Sequence, residues 1–178
     1  MRNVPTVAWR GVMAAAAGVL VLLGASAPAR AQDAFEIQVY EAETAAPGAV
    51  GVEVHTNYFA SGSRLADPPE LPTHHALHFT LEPHIGIATW CEAGAYIQTA
   101  LRPDGSFDFA GLKVRFKVRW PRRLAGLVDL ALNGELSSIP EEYEAHRFGT
   151  ELRPIVDLNW KRLYVGINPI VSIDVGGP

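Results

Sequence analysis

Long segments in which apolar and polar residues alternate strictly are the feature that most constrains the fold of this chain. Seven such segments follow one another: residues 50–59, 78–87, 91–101, 107–120, 124–138, 147–160 and 163–175. Alternation with a period of two, together with many Val, Ile, Phe and Tyr residues, predicts β-strands. Most segments reach about ten residues, which is long for a globular strand and sufficient for a tilted strand that crosses a membrane. Residues 32–178 show no helical period, so the sequence predicts an all-β fold.

The segment KVRFKVRW, residues 113–120, shows the alternation in its most extreme form. Its polar face carries four cations in a row, Lys113, Arg115, Lys117 and Arg119, and its other face is wholly apolar. On a soluble β-sandwich the polar face meets bulk water, where four aligned cations gain nothing from one another. In a β-barrel the same face lines the lumen, and the cations can pair with acidic residues on neighbouring strands. The segment therefore favours an antiparallel, up-and-down transmembrane β-barrel whose apolar face meets lipid.

The predicted lumen wall combines this basic row with charged residues from other strands. Its members are Lys113, Arg115, Lys117, Arg119, Glu92, Asp129, Glu151 and Arg153. Within this wall we expect ion pairs between Lys117 and Glu92 and between Arg115 and Asp129. The basic row either gives a pore a preference for anions or is balanced by the acidic residues around it, and the expected pairing favours balance.

The turns between the segments fix the expected register of the strands. Asp104-Gly105 is typical of a two-residue hairpin turn, which places Tyr96 opposite Lys113 and Glu92 opposite Lys117. Three further short turns predict the remaining pairs, namely Gly86 with Glu92, His84 with Gly94, Arg115 with Asp129 and Asn159 with Tyr164. At each of the four turns polar positions face polar positions, as a sheet with two different faces requires.

Tryptophans recur at the predicted short turns near Thr89, Arg122 and Lys161, whereas the connections 61–75 and 137–146 are long. They are Trp90, Trp120 and Trp160. Outer-membrane barrels have short periplasmic turns, longer external loops and a girdle of aromatic residues at each membrane interface. We therefore expect the three tryptophans to form the girdle on the periplasmic side. A second girdle is expected from Tyr58, Phe107 and Tyr143.

The N-terminal residues resemble an export signal. Residues 11–26 are apolar, they follow Arg2 and Arg10, and Ala29-Arg30-Ala31 offers a signal-peptidase site before Gln32. We expect a cleaved signal peptide at residues 1–31 and an outer-membrane barrel domain at residues 32–178, with an uncleaved N-terminal anchor as the alternative. The formal net charge of the chain is −4, and the expected mature part is more acidic because residues 1–31 contain no acid. A nucleic-acid partner is therefore not expected.

Two stretches carry a family resemblance. LHFTLEPHIGIATWCEAGAYIQTAL, residues 77–101, and FEIQVYEAETAAPG, residues 35–48, resemble outer-membrane barrels of the MetA-pathway-of-phenol-degradation and transporter type. The resemblance implies an outer-membrane location, contact with outer-membrane lipid and with the barrel assembly machinery, and transport of small solutes, apolar ones by analogy. It supplies no catalytic residues. The chain departs from this family in length and in its ending DVGGP, which lacks the usual terminal aromatic residue.

The number of strands is the unresolved part of this prediction. Bacterial single-chain barrels have an even number of strands, and seven long segments are present, with residues 35–40 as a candidate eighth. Either that segment closes an eight-stranded barrel, or the chain is a piece of a larger barrel of about twelve strands. The C-terminal sequence favours the second interpretation.

Candidate ligand residues cluster on lumen-facing positions, namely His55, His78, Glu82 and His84. Imidazole and carboxylate groups suit zinc or copper, but the spacing matches no compact zinc motif. We interpret these residues as a hydrogen-bonded part of the wall and predict no bound metal and no cofactor. The sequence contains no nucleophile elbow, phosphate-binding loop or dinucleotide fingerprint, so an enzyme is not predicted. Cys91 stands alone and is interpreted as a small apolar residue.

Three functional hypotheses follow from the sequence. The first is an outer-membrane channel or transporter for small solutes. The second is a narrow barrel with a filled interior and a structural role, because an eight-stranded barrel has room only for its own side chains. The third is a soluble periplasmic β-sandwich or lipocalin-like binding protein. The strand number separates the first two, and partition between membrane and soluble fractions separates both from the third.

Overall fold

The structure is a computed structural model that describes residue 35, residues 38–144 and residues 146–174. The expected signal peptide at residues 1–31 and the expected cleavage site before Gln32 lie outside the described residues. Within the described part, no helix has the length and apolar character needed to span a membrane.

The described chain forms one antiparallel sheet in which sequential strands are neighbours. The strands are β1 (Val50–Tyr58), β2 (Leu77–Ala88), β3 (Cys91–Leu101), β4 (Phe107–Arg119), β5 (Val128–Ser138), β6 (Phe148–Trp160), β7 (Leu163–Ile167) and β8 (Val171–Asp174). Both β7 and β8 pair with β6, β7 along one half of that strand and β8 along the other. The two short strands are therefore two parts of one interrupted edge strand. This architecture confirms the predicted all-β, up-and-down antiparallel arrangement.

The interruption of the last strand has a local cause. A continuous segment was expected over residues 163–175, but residues 168–170 pair with no strand. Pro169 lacks the backbone N–H that a ladder needs. The side chain of the preceding Asn168 instead accepts a hydrogen bond of 2.6 Å from the backbone N–H of Tyr40.

The sheet is open in the described part of the chain, because β1 pairs only with β2 and the β7–β8 edge pairs only with β6. Residues 35–40 were considered as a closing eighth strand. Phe35 and residues 38–40 form no strand, and Phe35 and Tyr40 are instead buried. The alternative in which this segment supplies an eighth strand is therefore wrong for Phe35 and residues 38–40. The seven-strand sheet has the form of a curled half-barrel.

The curl of the sheet can be judged from the reach of one residue. The hydroxyl of Tyr40 shares a short hydrogen bond with the hydroxyl of Tyr96 on β3, and its backbone N–H bonds to Asn168 beyond β7. Four strand spacings of about 4.8 Å separate β3 from β7, which is about 19 Å across a flat sheet. One tyrosine cannot span that distance, so the sheet must curve around it.

The outer, convex side of this sheet is apolar and exposed. The convex apolar face, as we call it, is made of Val52, Val54, Leu81, Ile85, Ile97, Leu112, Val114, Phe116, Val118, Leu132, Leu136, Leu152, Leu158, Val165, Ile167 and Val171. Each strand contributes through the alternation seen in the sequence. The concave side is the reverse, since many of its side chains are charged and buried. Only two small apolar clusters are buried in the described residues, around Phe35 and around Tyr40.

Most of the predicted register is confirmed. Gly86 lies opposite Glu92, His84 opposite Gly94, Tyr96 opposite Lys113, Glu92 opposite Lys117 and Asn159 opposite Tyr164. The β3–β4 turn is longer than expected, since its ladder ends at Leu101 and Phe107. A register shift next to Gln98, which skips Ala110 on β4, compensates for the longer turn.

The expected pairing of Arg115 with Asp129 is wrong. Arg115 lies opposite Glu135, because β5 begins at Val128 and the residues from Leu124 onward belong to the connection. The backbone N–H of Leu124 bonds to the carbonyl of Val128 at 2.8 Å and holds this connection in a local turn. The offset is an even number of residues, so each side chain keeps its predicted face.

Candidate functional site

The concave side of the sheet is covered by the chain that precedes β1. This inner segment, residues 38–49, is fixed to the sheet by backbone N–H groups. Ala42 donates to Asp157 Oδ2 at 2.6 Å and Ala45 donates to Glu92 Oε2 at 2.7 Å. Gly48 donates to the carbonyl of Gly86 at 2.8 Å. The inner segment therefore uses carboxylates of β3 and β6, and the backbone of β2, as its anchors.

Tyr40 is the centre of the inner segment. Its side chain is almost fully buried and its hydroxyl meets that of Tyr96. The guanidinium groups of Arg115 and Arg153 lie 5.6 Å and 5.2 Å from the centre of its ring. These distances are within the range of cation–π attraction, which strengthens where both groups are removed from water. One aromatic ring thus helps to hold two buried cations.

Arg115 forms the main ion-pair network of the concave side. Its Nε donates to Glu82 Oε1 and its Nη1 to Glu92 Oε1, both at 2.6 Å. Lys117 Nζ lies 3.6 Å from the same Glu92 oxygen. All four side chains are buried. A Cβ at Gly94 would stand 2.9 Å from Arg115 Nε, so glycine at that position leaves the space that Arg115 crosses.

A second network lies on β5 and β6. Arg153 Nη2 lies 2.8 Å from Glu151 Oε2, and Arg153 Nε lies 3.7 Å from Glu135 Oε1. Asn133 Nδ2 donates to the same Glu135 oxygen at 2.7 Å. Ion pairs that are buried this deeply cost desolvation energy, which close contact and additional hydrogen bonds offset.

Asp129 binds two cations at the end of β5. Arg119 Nη2 lies 3.2 Å from its Oδ1, and Arg123 Nη2 lies 2.6 Å from its Oδ2. Asn159 Nδ2 donates to the same Oδ2 at 3.2 Å. The expected partner, Arg115, is engaged elsewhere, so the predicted Arg115–Asp129 ion pair is wrong and Arg119 takes that role.

The structure places all the predicted wall residues on the concave side. Lys113, Arg115, Lys117, Glu92, Asp129 and Arg153 are buried, whereas Arg119 and Glu151 are only partly buried. The expected contact between Lys117 and Glu92 is present at 3.6 Å. Three cations of the basic row, Arg115, Lys117 and Arg119, are therefore paired with acids of neighbouring strands.

A polar cleft of about 510 Å³ remains between the inner segment and the first four strands. Its lining includes Glu43 of the inner segment, Glu53 and His84 of β1 and β2, and Glu92 and Lys117 of β3 and β4. Charged side chains of both signs therefore face this space, which is large enough for a small polar solute.

The predicted histidine cluster is only partly assembled. His55 Nε2 on β1 lies 3.1 Å from Glu82 Oε2 on β2. His84 also lies on β2. His78 is separate, because its ring stacks on Phe35 at a centroid distance of 4.3 Å. The sequence reasoning missed Glu53, which lies directly opposite Glu82. The repeated Glu-x-His pattern at residues 53–55 and 82–84 is the signal that could have identified it.

The three tryptophans lie at the same ends of the strands, in or beside the β2–β3, β4–β5 and β6–β7 connections. Trp90, Trp120 and Trp160 are each about half exposed. Tyr58 and Phe107 are exposed at the opposite strand ends.

Tyr143 does not join an outer girdle. Its hydroxyl donates to Asp108 Oδ2 at 2.6 Å, and its ring meets that of Phe35 edge-on. Burial and the hydrogen bond to Asp108 raise the pKa of Tyr143 to about 12. The expectation that Tyr143 belongs to the second girdle is therefore wrong, since the residue points inward and covers Phe35.

In comparisons with known protein families, curated proteins and solved structures, the chain has no significant match to any of them. The resemblance of residues 35–48 and 77–101 to outer-membrane barrels of the phenol-degradation and transporter type stays a prediction. The functional argument therefore depends on the physical character of the two faces of the sheet.

Proposed function

We propose that this chain forms the wall of an outer-membrane β-barrel that lets small solutes pass. The observation that carries the proposal is the inversion of the sheet, with charged residues buried on the concave side and the convex apolar face exposed. A membrane barrel requires this distribution, because its outer surface meets lipid and its inner surface meets water.

A soluble β-sandwich has the opposite distribution. Its apolar faces pack against each other and its polar faces meet water. Soluble monomers rarely expose a continuous apolar patch of more than a few hundred Å², and here every strand from β1 to β8 contributes exposed apolar side chains. In water this surface would drive aggregation, whereas in lipid it is the expected outer wall.

A wide barrel fits the geometry better than a narrow one. The seven-strand sheet is a curled half-barrel with two edges that no described strand pairs. An unpaired edge is not tolerated in lipid, so additional strands must complete the barrel, either from a longer form of the chain or from a second copy. Because the present strands form only half of a barrel, a completed barrel has more than eight strands, and its interior exceeds the volume that its own side chains fill.

The polar cleft beside the inner segment is the proposed solute path. Charged residues such as Glu43, Glu53 and Lys117 line it, which favours small polar solutes over the apolar ones that the resemblance implies. The inner segment narrows this path because it is bonded to the wall at Glu92 and Asp157. The same segment is the observation that favours the second candidate, a barrel that does not conduct.

Membrane fractionation of the expressed chain tests the location. We expect the chain in the outer-membrane fraction, resistant to a carbonate wash, with a gel mobility that changes on boiling. A boiling-dependent shift at the mass of one chain would identify a single-chain barrel, and a shift from twice that mass would identify a barrel of two copies. A chain that stays in the soluble fraction would overturn the proposal.

Conductance in planar bilayers tests the transport role. We expect discrete current steps from the purified chain in neutral lipid. Stable membrane insertion without current steps, in both the complete chain and a variant that lacks residues 38–46, would establish the non-conducting barrel instead.

A further inference from the structure

Two glutamates and two histidines form a cluster, called the Glu-His cluster, on the concave side of β1 and β2. Each strand supplies a Glu-x-His pair, Glu53 and His55 from β1 and Glu82 and His84 from β2. Residues two apart on a strand point to the same face. Glu53 and Glu82 lie directly opposite each other, whereas His55 lies opposite Thr80 and His84 opposite Gly51, so the two histidines flank the glutamate pair on opposite sides.

Several potential ligand atoms of the Glu-His cluster are close together. His55 Nε2 lies 3.1 Å from Glu82 Oε2 and 3.9 Å from Glu53 Oε2. His84 Nδ1 lies 3.9 Å from Glu53 Oε1. One ligand atom each from Glu53, His55 and Glu82 falls within 4.8 Å of the others. Ligands of a tetrahedral zinc ion at about 2.0–2.2 Å lie roughly 3.3 Å apart, so small side-chain rotations would bring them to an ion.

The charges of the Glu-His cluster favour an additional cation. Two carboxylates directly opposite on neighbouring strands repel each other. Arg115 bonds to Glu82, but it also bonds to Glu92, and Lys117 likewise lies beside Glu92. Among the described contacts, Arg115 and Lys117 are therefore the cations of Glu82 and Glu92. The third carboxylate, that of Glu53, has only the histidines His55 and His84 close to it.

The site also has space and an approach path. A Cβ at Gly51 would overlap the ring of His84, so the glycine lets this imidazole lie flat over β1. His84 Nδ1 is buried and makes no hydrogen bond within the described part of the chain. Glu53 and His84 line the polar cleft, which therefore gives access to the Glu-His cluster. An imidazole nitrogen without a hydrogen-bond partner thus faces the carboxylates across an accessible space.

We propose that Glu53, His55 and Glu82 bind one divalent transition-metal ion of the zinc class. An imidazole ligand disfavours Mg²⁺ and Ca²⁺, which take oxygen ligands, and suits Zn²⁺, Cu²⁺ or Ni²⁺. The bond from Arg115 to the second oxygen of Glu82 would orient that carboxylate, as outer-shell partners of metal ligands do. The ion would clamp the edge strand β1 to β2. This inference is independent of whether the barrel conducts.

Calorimetric titration of the purified, folded chain with zinc chloride tests the site. We expect one tightly bound ion per chain, and at least a 10-fold weaker affinity in Glu53→Gln and in His55→Ala. The matched control is the double variant His74→Ala/His75→Ala, which removes two adjacent imidazoles, tilted against each other, from the β1–β2 loop. The control is expected to keep the affinity of the unchanged chain.

Electron paramagnetic resonance with Cu²⁺ as the probe gives an independent readout. We expect nitrogen coupling from one imidazole, which is lost in His55→Ala. Circular dichroism of each variant confirms that the sheet is intact, and Glu53→Gln is mild because that side chain is half exposed. Absence of zinc binding in the unchanged chain, or equal binding by the unchanged chain and Glu53→Gln, would overturn the proposal, as would loss of the ion in the His74→Ala/His75→Ala control.

Discussion

Arg115 donates a hydrogen bond of 2.6 Å to Glu82 although β3 separates their strands, β4 and β2. The guanidinium crosses β3 above Gly94, where no side chain blocks it. Both side chains are almost fully buried, beneath the inner segment. The buried charges of the concave side are therefore linked across three strands.

Loss of Arg115 should destabilise the fold more than loss of any exposed cation. In Arg115→Met, Glu82 and Glu92 remain buried without their main partner, which is expected to cost roughly 3–5 kcal/mol. The control Arg119→Met removes a partly exposed cation from Asp129, which keeps Arg123, and should cost only about 0–1 kcal/mol. Urea unfolding followed by tryptophan fluorescence in detergent measures both. Equal midpoints for the two variants would contradict the network.

The convex apolar face should reject charge. Phe116→Arg places a cation in the middle of β4 on that face, and in a membrane barrel the expected cost is about 2–4 kcal/mol. Leu65→Arg is the control, because Leu65 is exposed in the β1–β2 loop. We expect less Phe116→Arg than Leu65→Arg in the outer-membrane fraction. A soluble, stable Phe116→Arg chain would contradict the membrane assignment.

A methyl group at Gly86 should displace the inner segment. A Cβ there would overlap the backbone carbonyls of Ala45 and Ala46, which cannot yield without moving the segment. At Gly134 a Cβ would stand 3.5 Å from Leu152 Cδ2, an ordinary contact. We expect faster cleavage at Glu41 and Glu43 by a glutamate-specific protease in Gly86→Ala and unchanged cleavage in Gly134→Ala. Identical digestion of both variants would show that the segment is not held at β2.

The ring of Tyr40 should limit conductance. Tyr40→Ala removes the ring that lies against Arg115 and Arg153, so we expect larger current steps in planar bilayers. Tyr40→Phe keeps the ring and loses only the hydroxyl that meets Tyr96, so its steps should resemble those of the unchanged chain. Current steps of equal size in Tyr40→Ala and Tyr40→Phe would contradict a narrowing role for this residue.

The strand ends that carry the three tryptophans should lie at a membrane interface. Trp90, Trp120 and Trp160 occupy the same ends of the strands and are half exposed. Brominated lipids should therefore quench their fluorescence most strongly when the bromine is near the headgroup. Replacing each in turn by Phe reports on the other two. Strongest quenching by bromine at the chain ends, or none at all, would contradict the girdle.

The sequence alone determined where most of the strands lie and which face each of their side chains occupies, although residues 124–127 and 168–170 lie outside the strands. Both follow from a local rule, since successive side chains of a strand point to opposite sides. The even offset at β5 kept these faces although the predicted partner of Arg115 was wrong. In the same way the pairs Tyr96–Lys113 and Glu92–Lys117 were predictable, because the bulge near Gln98 compensates for a longer turn.

Only the tertiary structure decided which charges meet and where the inner segment lies. Arg115 reaches Glu82 because the sheet curls and Gly94 leaves a gap, and neither effect is visible in period-two alternation. Tyr40 was a candidate for an eighth strand and Tyr143 a candidate for the second girdle, whereas both point inward. Contacts between strands that are not neighbours depend on the curvature of the whole sheet, which accumulates over many residues and has no local sequence signal.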